Sequence, residues 1–228
     1  MKAVILAGGR GKRLRPFTDV LPKPLLPIAG QPVLGRILNN LKEQGIDEVF
    51  LTVNYMKDYF KILFGDGEKF GLKINYLEEN IPLGTAGPIR VLEEILHEDF
   101  FVMNGDLVTD LDINEGLKFH KKNKADITIV TSEFTIPVDY GVISSKGELV
   151  TEWVEKPKIT LETCTGMYFL NSNIIKRIPK NKEYNMNDLV KTVIESSGRV
   201  LKYFHKGEWI DIGKIEDYEK AINLFEKK

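Results

Sequence analysis

Lys2-Ala3-Val4-Ile5-Leu6-Ala7-Gly8-Gly9-Arg10-Gly11-Lys12-Arg13-Leu14 is the stretch from which the rest of the chain is read. Lys2 to Leu6 is a short apolar run carrying β-branched Val4 and Ile5, the pattern of a buried strand. Gly8, Gly9 and Gly11 follow at once. Lacking Cβ atoms, such a turn reaches positive φ and lets backbone N–H groups press against an anion. Lys12, Arg13 and Arg15 stand behind the turn, and Lys23 follows between Pro22 and Pro24. A strand, a glycine turn and clustered cations make a cradle for a polyphosphate. Two common phosphate-loop patterns do not fit. G-x-x-x-x-G-K-[ST] needs a hydroxyl after the lysine, where Arg13 stands, and G-x-G-x-x-G needs a glycine where Leu14 stands.

Downstream, Gln31-Pro32 opens a helix whose stripe is Val33, Leu34, Ile37, Leu38 and Leu41, with Gly45 as its stop. Glu48 to Val53 and Leu72 to Leu77 read as strands, separated by a helix from Lys57 to Phe64 and a Gly65-Asp66-Gly67 turn. An acidic, proline-bearing loop runs from Glu78 to Thr85, and a helix is expected from about Gly87 to Leu96. Phe100 to Met103 is the most apolar strand and should lie centrally, which puts Asn104-Gly105-Asp106 at its carboxyl end, where open α/β sheets bind ligands. Ile113 to Lys122 is a helix. From Asp126 the rhythm changes to strands (Asp126–Ser132, Gly141–Ser144, Glu148–Val154) with a hairpin turn at Ser145-Lys146-Gly147. Cys164 to Leu170 returns as a strand. Helices near Ile174–Arg177 and Asn187–Glu195, strands at Val200–Phe204 and Glu208–Asp211, and a terminal helix with Ile215, Tyr218, Ala221, Ile222 and Phe225 on its apolar face complete the chain.

At 228 residues the chain suits one α/β domain with an ample core. With 32 Lys and Arg against 33 Asp and Glu, the formal net charge is −1, so no basic field advertises nucleic acid; positive charge is concentrated at the amino-terminal loop. The apolar runs are strand-sized, so no membrane span is expected. The first strand begins directly after Met1, so no secretory leader is expected. Cys164 is the single cysteine, which precludes an internal disulfide and suits a reducing cytoplasm.

Leu6-Ala-Gly-Gly-x-Gly-x-Arg-Leu-x-Pro-x-Thr18, followed by Lys23-Pro24-Leu25, resembles the signature of sugar-1-phosphate nucleotidylyltransferases. The resemblance resumes through Pro82-Leu83-Gly84-Thr85-Ala86-Gly87, Asn104-Gly105-Asp106, Glu155-Lys156-Pro157, Thr165-Gly166-Met167-Tyr168 and Trp209-Ile210-Asp211-Ile212-Gly213, nearly the whole chain. It implies a three-layer α/β/α, Rossmann-like fold, with a mostly parallel central sheet and antiparallel strands added at its edge. Residues 1–110 would form a nucleotide-binding half and 111–228 a sugar-phosphate-binding half of one domain. The carboxy-terminal β-helix of many relatives is not expected.

The resemblance also assigns roles. Leu6, Ala7, Gly8, Gly9, Gly11, Gly84, Thr85 and Gly87 would line the nucleotide. Arg13 would hold the leaving pyrophosphate and Lys23 the α-phosphate, with Asp106 and Asp211 binding Mg²⁺ alongside the triphosphate. Mg²⁺ uses few carboxylates and keeps phosphate oxygens and water, so two aspartates suit it. Read alone, Asp106 is equally a Gly-Asp turn residue and Asp211 a helix cap. Glu155 would hold sugar hydroxyls and Lys156 the sugar phosphate, while Gly141, Gly166 and Tyr168 match positions against the sugar. As a bare pattern, Glu155-Lys156 is also a surface charge pair.

The base belongs in the loop beginning Glu78-Glu79. A carboxylate only accepts hydrogen bonds, and guanine offers adjacent donors at N1 and N2, so the chemistry leans to GTP; the loop also resembles mannose- and heptose-1-phosphate guanylyltransferases. Backbone from Gly84 to Gly87 reading the base instead is the competing account. The expected activity is nucleotidylyl transfer from GTP to mannose 1-phosphate or a related heptose 1-phosphate, releasing pyrophosphate. Uridylyl or thymidylyl transfer to glucose 1-phosphate, or a catalytically silent nucleotide-sugar-binding paralogue, is the alternative. A glycosyltransferase of similar topology would not need the Gly8–Lys23 cradle. Assembly into a homo-oligomer is left open.

Overall fold

A computed structural model describes residues 1–226 apart from Arg10 and Asn80, and excluding the side chain of Glu226. Arg10 of the glycine loop and Asn80 of the acidic loop thus lie outside the described residues.

The apolar run that opens the chain forms β1 (Lys2–Leu6), with β2 (Glu48–Val53) and β3 (Lys73–Glu78) following. They are joined by α1 (Val33–Glu43) and α2 (Lys57–Phe64), with a short β-bridge between Pro27–Ile28 and Gln31–Pro32. Next come β4 (Phe100–Asn104), β5 (Leu107–Thr109) and α3 (Ile113–Lys122). The Asp112 side chain caps α3 by accepting from the Glu115 N–H at 2.9 Å. The remainder is β6 (Ile127–Pro137), β7 (Val142–Lys146), β8 (Leu149–Val154), β9 (Lys158–Leu170), α4 (Met186–Glu195), β10 (Val200–Phe204), β11 (Trp209–Asp211) and α5 (Ile215–Glu226).

Seven of these strands form the central sheet, in the order β10-β6-β9-β4-β1-β2-β3. Phe100–Asn104 takes the middle place, as its composition required. Every neighbour pair is parallel except those of β9 with β4 and with β6. The mostly parallel sheet is therefore as expected, but the antiparallel strand lies inside it and not at its edge. Met167, Phe169 and Leu170 explain the difference: all are fully buried, and a strand end that apolar belongs where both faces are covered. The other antiparallel pairs, β7 with β8 and β5 with β11, are separate two-stranded ribbons.

Side chains alternate across the pleat, giving the sheet two cores. Ala3, Ile5, Phe101 and Met103 pack on one side with Leu34, Leu38 and Leu41 of α1, Phe60 of α2 and Ala221 of α5. Val4, Phe100 and Val102 pack on the other with Ile89, Leu92, Ile174, Ile175 and α4's Leu189 and Val193. Two segments expected as α-helices are tighter 3₁₀ runs, Gly87–Leu92 and Ser172–Arg177. In the first, Gly87 and Pro88 stand at the start, and the Ala86 and Gly87 N–H groups are committed to the distant Tyr184 carbonyl, each at 2.9 Å.

Candidate active site

Four consecutive parallel strands end on one side of the sheet, and a cavity of about 590 Å³ opens across their carboxyl ends. Leu6, Ala7, Gly8, Gly9 and Gly11 wall it after β1, Thr52 and Asn54 after β2, Glu79 after β3, and Asn104 and Asp106 after β4. The Ala7 N–H anchors the glycine loop on Thr52, at 3.1 Å to its hydroxyl and 3.2 Å to its carbonyl. Gly11 turns the loop at φ +60°, where a Cβ would sit 3.0 Å from Thr18 Cγ2 and 3.2 Å from Lys23 Cβ. The Thr18 hydroxyl donates to the Gly11 carbonyl at 2.9 Å. Arg13 remains exposed on the rim, its guanidinium lying along the backbone of Gly213.

Asp106 and Asp211, far apart in sequence, meet because β5 pairs antiparallel with β11, placing Asp211 opposite Leu107; the Ile212 N–H also donates to the Asp106 carbonyl at 3.1 Å. The Lys23 ammonium sits between the two carboxylates, 2.5 Å from Asp106 Oδ2 and 3.2 Å from Asp211 Oδ1, with only 8% of the residue exposed. Burial pushes the Asp106 carboxyl above its ordinary range; Lys23 opposes that shift and the Asp211 charge adds to it. Asp106 Oδ1 is buried with no hydrogen-bond partner among the described residues. An orphaned carboxylate oxygen beside a second carboxylate is a fitting donor set for a hard divalent cation. Among the described residues no group of three or more His, Cys, Asp or Glu could hold a metal, so phosphate and water would complete the shell.

The two adjacent glutamates separate. Glu78 turns to α2, 2.5 Å from each of Lys57 and Lys61, whose hydrogen bonds hold its carboxyl down at about 2. Glu79 turns into the cavity. Its Oε2 accepts from the Leu83 N–H at 2.9 Å, and its Oε1 lies where a Cβ on Gly8 would be 2.9 Å away. Burial raises the Glu79 carboxyl, partly offset by the Leu83 N–H. Gly84 and Thr85 line the cavity, whereas Gly87 is buried behind them.

The expected sugar-phosphate residues are not gathered as tightly. Gly166 (φ +79°) packs so closely that a Cβ would meet the Asn104 side-chain nitrogen at 2.5 Å, bringing the strand against the cavity wall. Tyr168 is near it, its hydroxyl 3.1 Å from Cys164 Sγ. Gly141, Glu155 and Lys156 stand on the arm built from β7, β8 and the outer ends of β6 and β9, and do not line the cavity. Glu155 Oε2 accepts from the Trp153 indole at 3.2 Å, and Gly141 lies against that indole.

Thr52, Asn54 and Glu183 also wall the cavity and were not foreseen. Thr52 and Asn54 could have been found as the residues closing the second parallel strand. Glu183 carries no local signal, because only the folded sheet brings residues 182–186 beside the 83–87 loop.

These features define an α/β protein with a glycine-loop-walled cavity across the carboxyl ends of parallel strands and a lysine-bridged carboxylate pair at its edge. The chain belongs to the Nucleotidyl transferase family, which matches residues 2–228. It is 36% identical over 234 residues to a probable mannose-1-phosphate guanylyltransferase of Oryza sativa subsp. japonica, covering 99% of this chain and 64% of the rice protein. It is 34% identical over 245 residues to the UTP--glucose-1-phosphate uridylyltransferase of Synechocystis sp., covering 97% and 62% respectively. The chain thus spans less than two thirds of the length of these relatives. Among solved structures, HddC from Yersinia pseudotuberculosis is similar at a TM-score of 0.79 and 31% identity, covering 98% of this chain and 99% of that one. The same protein complexed with GMP-PN gives 0.77 and 30%, with the same coverage. Among the described residues no helix is long and apolar enough to cross a membrane.

Proposed function

We propose that this protein transfers a nucleotidyl group from a nucleoside triphosphate to a sugar 1-phosphate, giving an NDP-sugar and pyrophosphate. The observation carrying this reading is the Lys23 bridge: it joins Asp106 and Asp211 at the edge of a cavity that is also walled by a glycine loop. A cavity of about 590 Å³ is in the range of small-molecule and cofactor sites.

In this reading a sugar phosphate oxygen attacks the α-phosphorus in line; the new P–O bond forms as the bond to the β-phosphate breaks, and pyrophosphate leaves. No protein nucleophile is needed, so this chain's residues position and neutralise. Backbone N–H groups of Gly8, Gly9 and Gly11 cradle the phosphates. Arg13, without an ion pair among the described residues, takes the leaving pyrophosphate. Lys23 would turn from the aspartates to an α-phosphate oxygen, and Asp106 and Asp211 are the carboxylates that would hold Mg²⁺. When bound, the metal supplies positive charge against the triphosphate.

Glu79 is the base-facing carboxylate, and its acceptor-only chemistry favours guanine, hence GTP. The names of the guanylyltransferase relatives and of the structure with GMP-PN support that preference. The guanylyltransferase name also favours mannose 1-phosphate as acceptor; a related heptose 1-phosphate rests on the resemblance of the loop at 78–87, and glucose 1-phosphate, from the Synechocystis relative, is the second choice. The sugar half falls to Glu155, Lys156, Gly141, Gly166 and Tyr168, the first three delivered by the exposed arm. One sheet running through both halves supports reading 1–228 as one domain, and the single cysteine suits the cytoplasm. A grid of nucleoside triphosphates against sugar 1-phosphates, read by pyrophosphate release, tests the proposal: at least one pair should turn over with Mg²⁺. Binding without turnover across the grid would favour a silent nucleotide-sugar sensor.

A further inference from the structure

The loop that presents Glu79 is held by the other half of the chain. The Tyr184 N–H donates to the Leu83 carbonyl, and the Tyr184 carbonyl accepts from the Ala86 and Gly87 N–H groups, all at 2.9 Å. Next along, the contacts become reciprocal and involve side chains. Asn185 Oδ1 accepts from the Thr85 N–H at 3.2 Å, and the Thr85 hydroxyl accepts from the Met186 N–H at 2.8 Å. The approach is so close that a Cβ on Gly84 (φ +75°) would sit 2.7 Å from both Asn185 Oδ1 and the Tyr184 carbonyl. Asn185 is itself fixed at the amino end of α4 by a capping box, its N–H donating to Asp188 Oδ2 at 3.0 Å.

These bonds form a chain: Asp188 fixes Asn185, Asn185 fixes Thr85 and the loop, and the loop's Leu83 N–H fixes Glu79 Oε2. We propose that Asn185 is a positioning residue for base selection, acting through the Leu83–Gly87 loop on the Glu79 carboxylate. The proposal rests on reading Glu79 as the base-facing group. A carboxylate free to swing could turn aside from a pyrimidine carbonyl and tolerate it. One pinned at Oε2 keeps its acceptor in place, and the wrong base then meets acceptor with acceptor. Anchoring the pin on a helix terminus supplies the rigidity that a loop alone lacks.

The test compares GTP and UTP affinities by calorimetry with Mg²⁺, using the full chain and the variants Asn185→Ala, Asn185→Asp and Thr85→Val. In the unmodified protein GTP should bind far more tightly than UTP. Asn185→Ala should narrow that ratio by about tenfold, the factor that one positioning hydrogen bond is worth. Asn185→Asp keeps an oxygen for the Thr85 N–H and the helix cap, so it should restore most of the ratio. Thr85→Val removes the reciprocal bond from the other side and should narrow the ratio as well; it carries the test alone if Asn185→Ala fails to fold. A merely structural role would weaken GTP and UTP binding alike, and an unchanged ratio in both Asn185→Ala and Thr85→Val would overturn the proposal. An unmodified protein that does not separate GTP from UTP would instead overturn the guanine reading of Glu79, on which the proposal stands.

Discussion

Glu78 closes a strand and Glu79 begins a loop, and successive side chains at such a point face opposite ways. The outward carboxylate is neutralised by Lys57 and Lys61; the inward one lies against Gly8. Glu79→Gln should therefore relax the preference for GTP towards UTP and dTTP by tenfold or more in kcat/KM, from a discrimination of about 10³ in the unmodified enzyme. Glu78→Gln should leave that preference where it was, and equal effects of the two substitutions would refute the division of roles. Arg13→Ala removes a rim cation bound into no core. It should cost turnover about a hundredfold while the melting temperature stays within a degree or so, whereas near-normal turnover would remove Arg13 from the mechanism. The glycine loop was legible in the sequence because its chemistry is local: glycines for the turn, cations behind it. Which of two neighbouring glutamates faces the cavity was not, since that depends on lysines a helix away.

At the scale of elements, the pairing of β5 with β11 brings Asp106 and Asp211 together around Lys23. Both aspartates could be singled out from sequence, each standing where a strand gives out. Lys23 could be singled out as a phosphate-facing cation but not as the bridge between them, because nothing local links position 23 to position 211. This contact shapes the expected behaviour of the metal-free protein. Asp106→Asn takes one anionic partner from a mostly buried ammonium but also removes a carboxylate that burial and Asp211 disfavour, so the melting temperature of the metal-free protein should stay nearly unchanged. The same variant should lose the Mg²⁺ dependence of GTP binding. An unaltered Mg²⁺ dependence would remove Asp106 from the metal site. The interior placement of β9 was hidden for a related reason: its outer half is polar and exposed, and only Met167–Leu170 announces a central strand.

Across the whole molecule the periodicities marked the strands and helices, while the three layers were what the family resemblance implied; alternate residues of β1 and β4 supply two separate cores. The arm of β7 and β8 was legible as a hairpin but not as a projection, since nothing in its apolar composition announces that Leu149 and Trp153 stay 70% and 66% exposed. Burial also governs the pH response. His120 is enclosed between α3 and β6, its Nδ1 2.8 Å from the Thr128 hydroxyl and its Nε2 without a hydrogen bond. Burial lowers its pKa from the ordinary 6.5, against the pull of Asp99 and Asp126. The unfolded chain therefore takes up this proton more readily, and stability falls as pH drops below about 6.5, by at most about 1.4 kcal/mol per pH unit for one proton. Replacement by Gln should flatten that part of the melting profile; parallel profiles for the two proteins would exclude His120 as the source. The most direct measurement of the central claim is pyrophosphate release from GTP and Mg²⁺, followed with and without mannose 1-phosphate and related sugar 1-phosphates. Release that requires an acceptor sugar phosphate and matches NDP-sugar formation one for one is the predicted result. Pyrophosphate released without any acceptor, or NDP-sugar consumed without pyrophosphate exchange, would contradict direct nucleotidylyl transfer in this cavity.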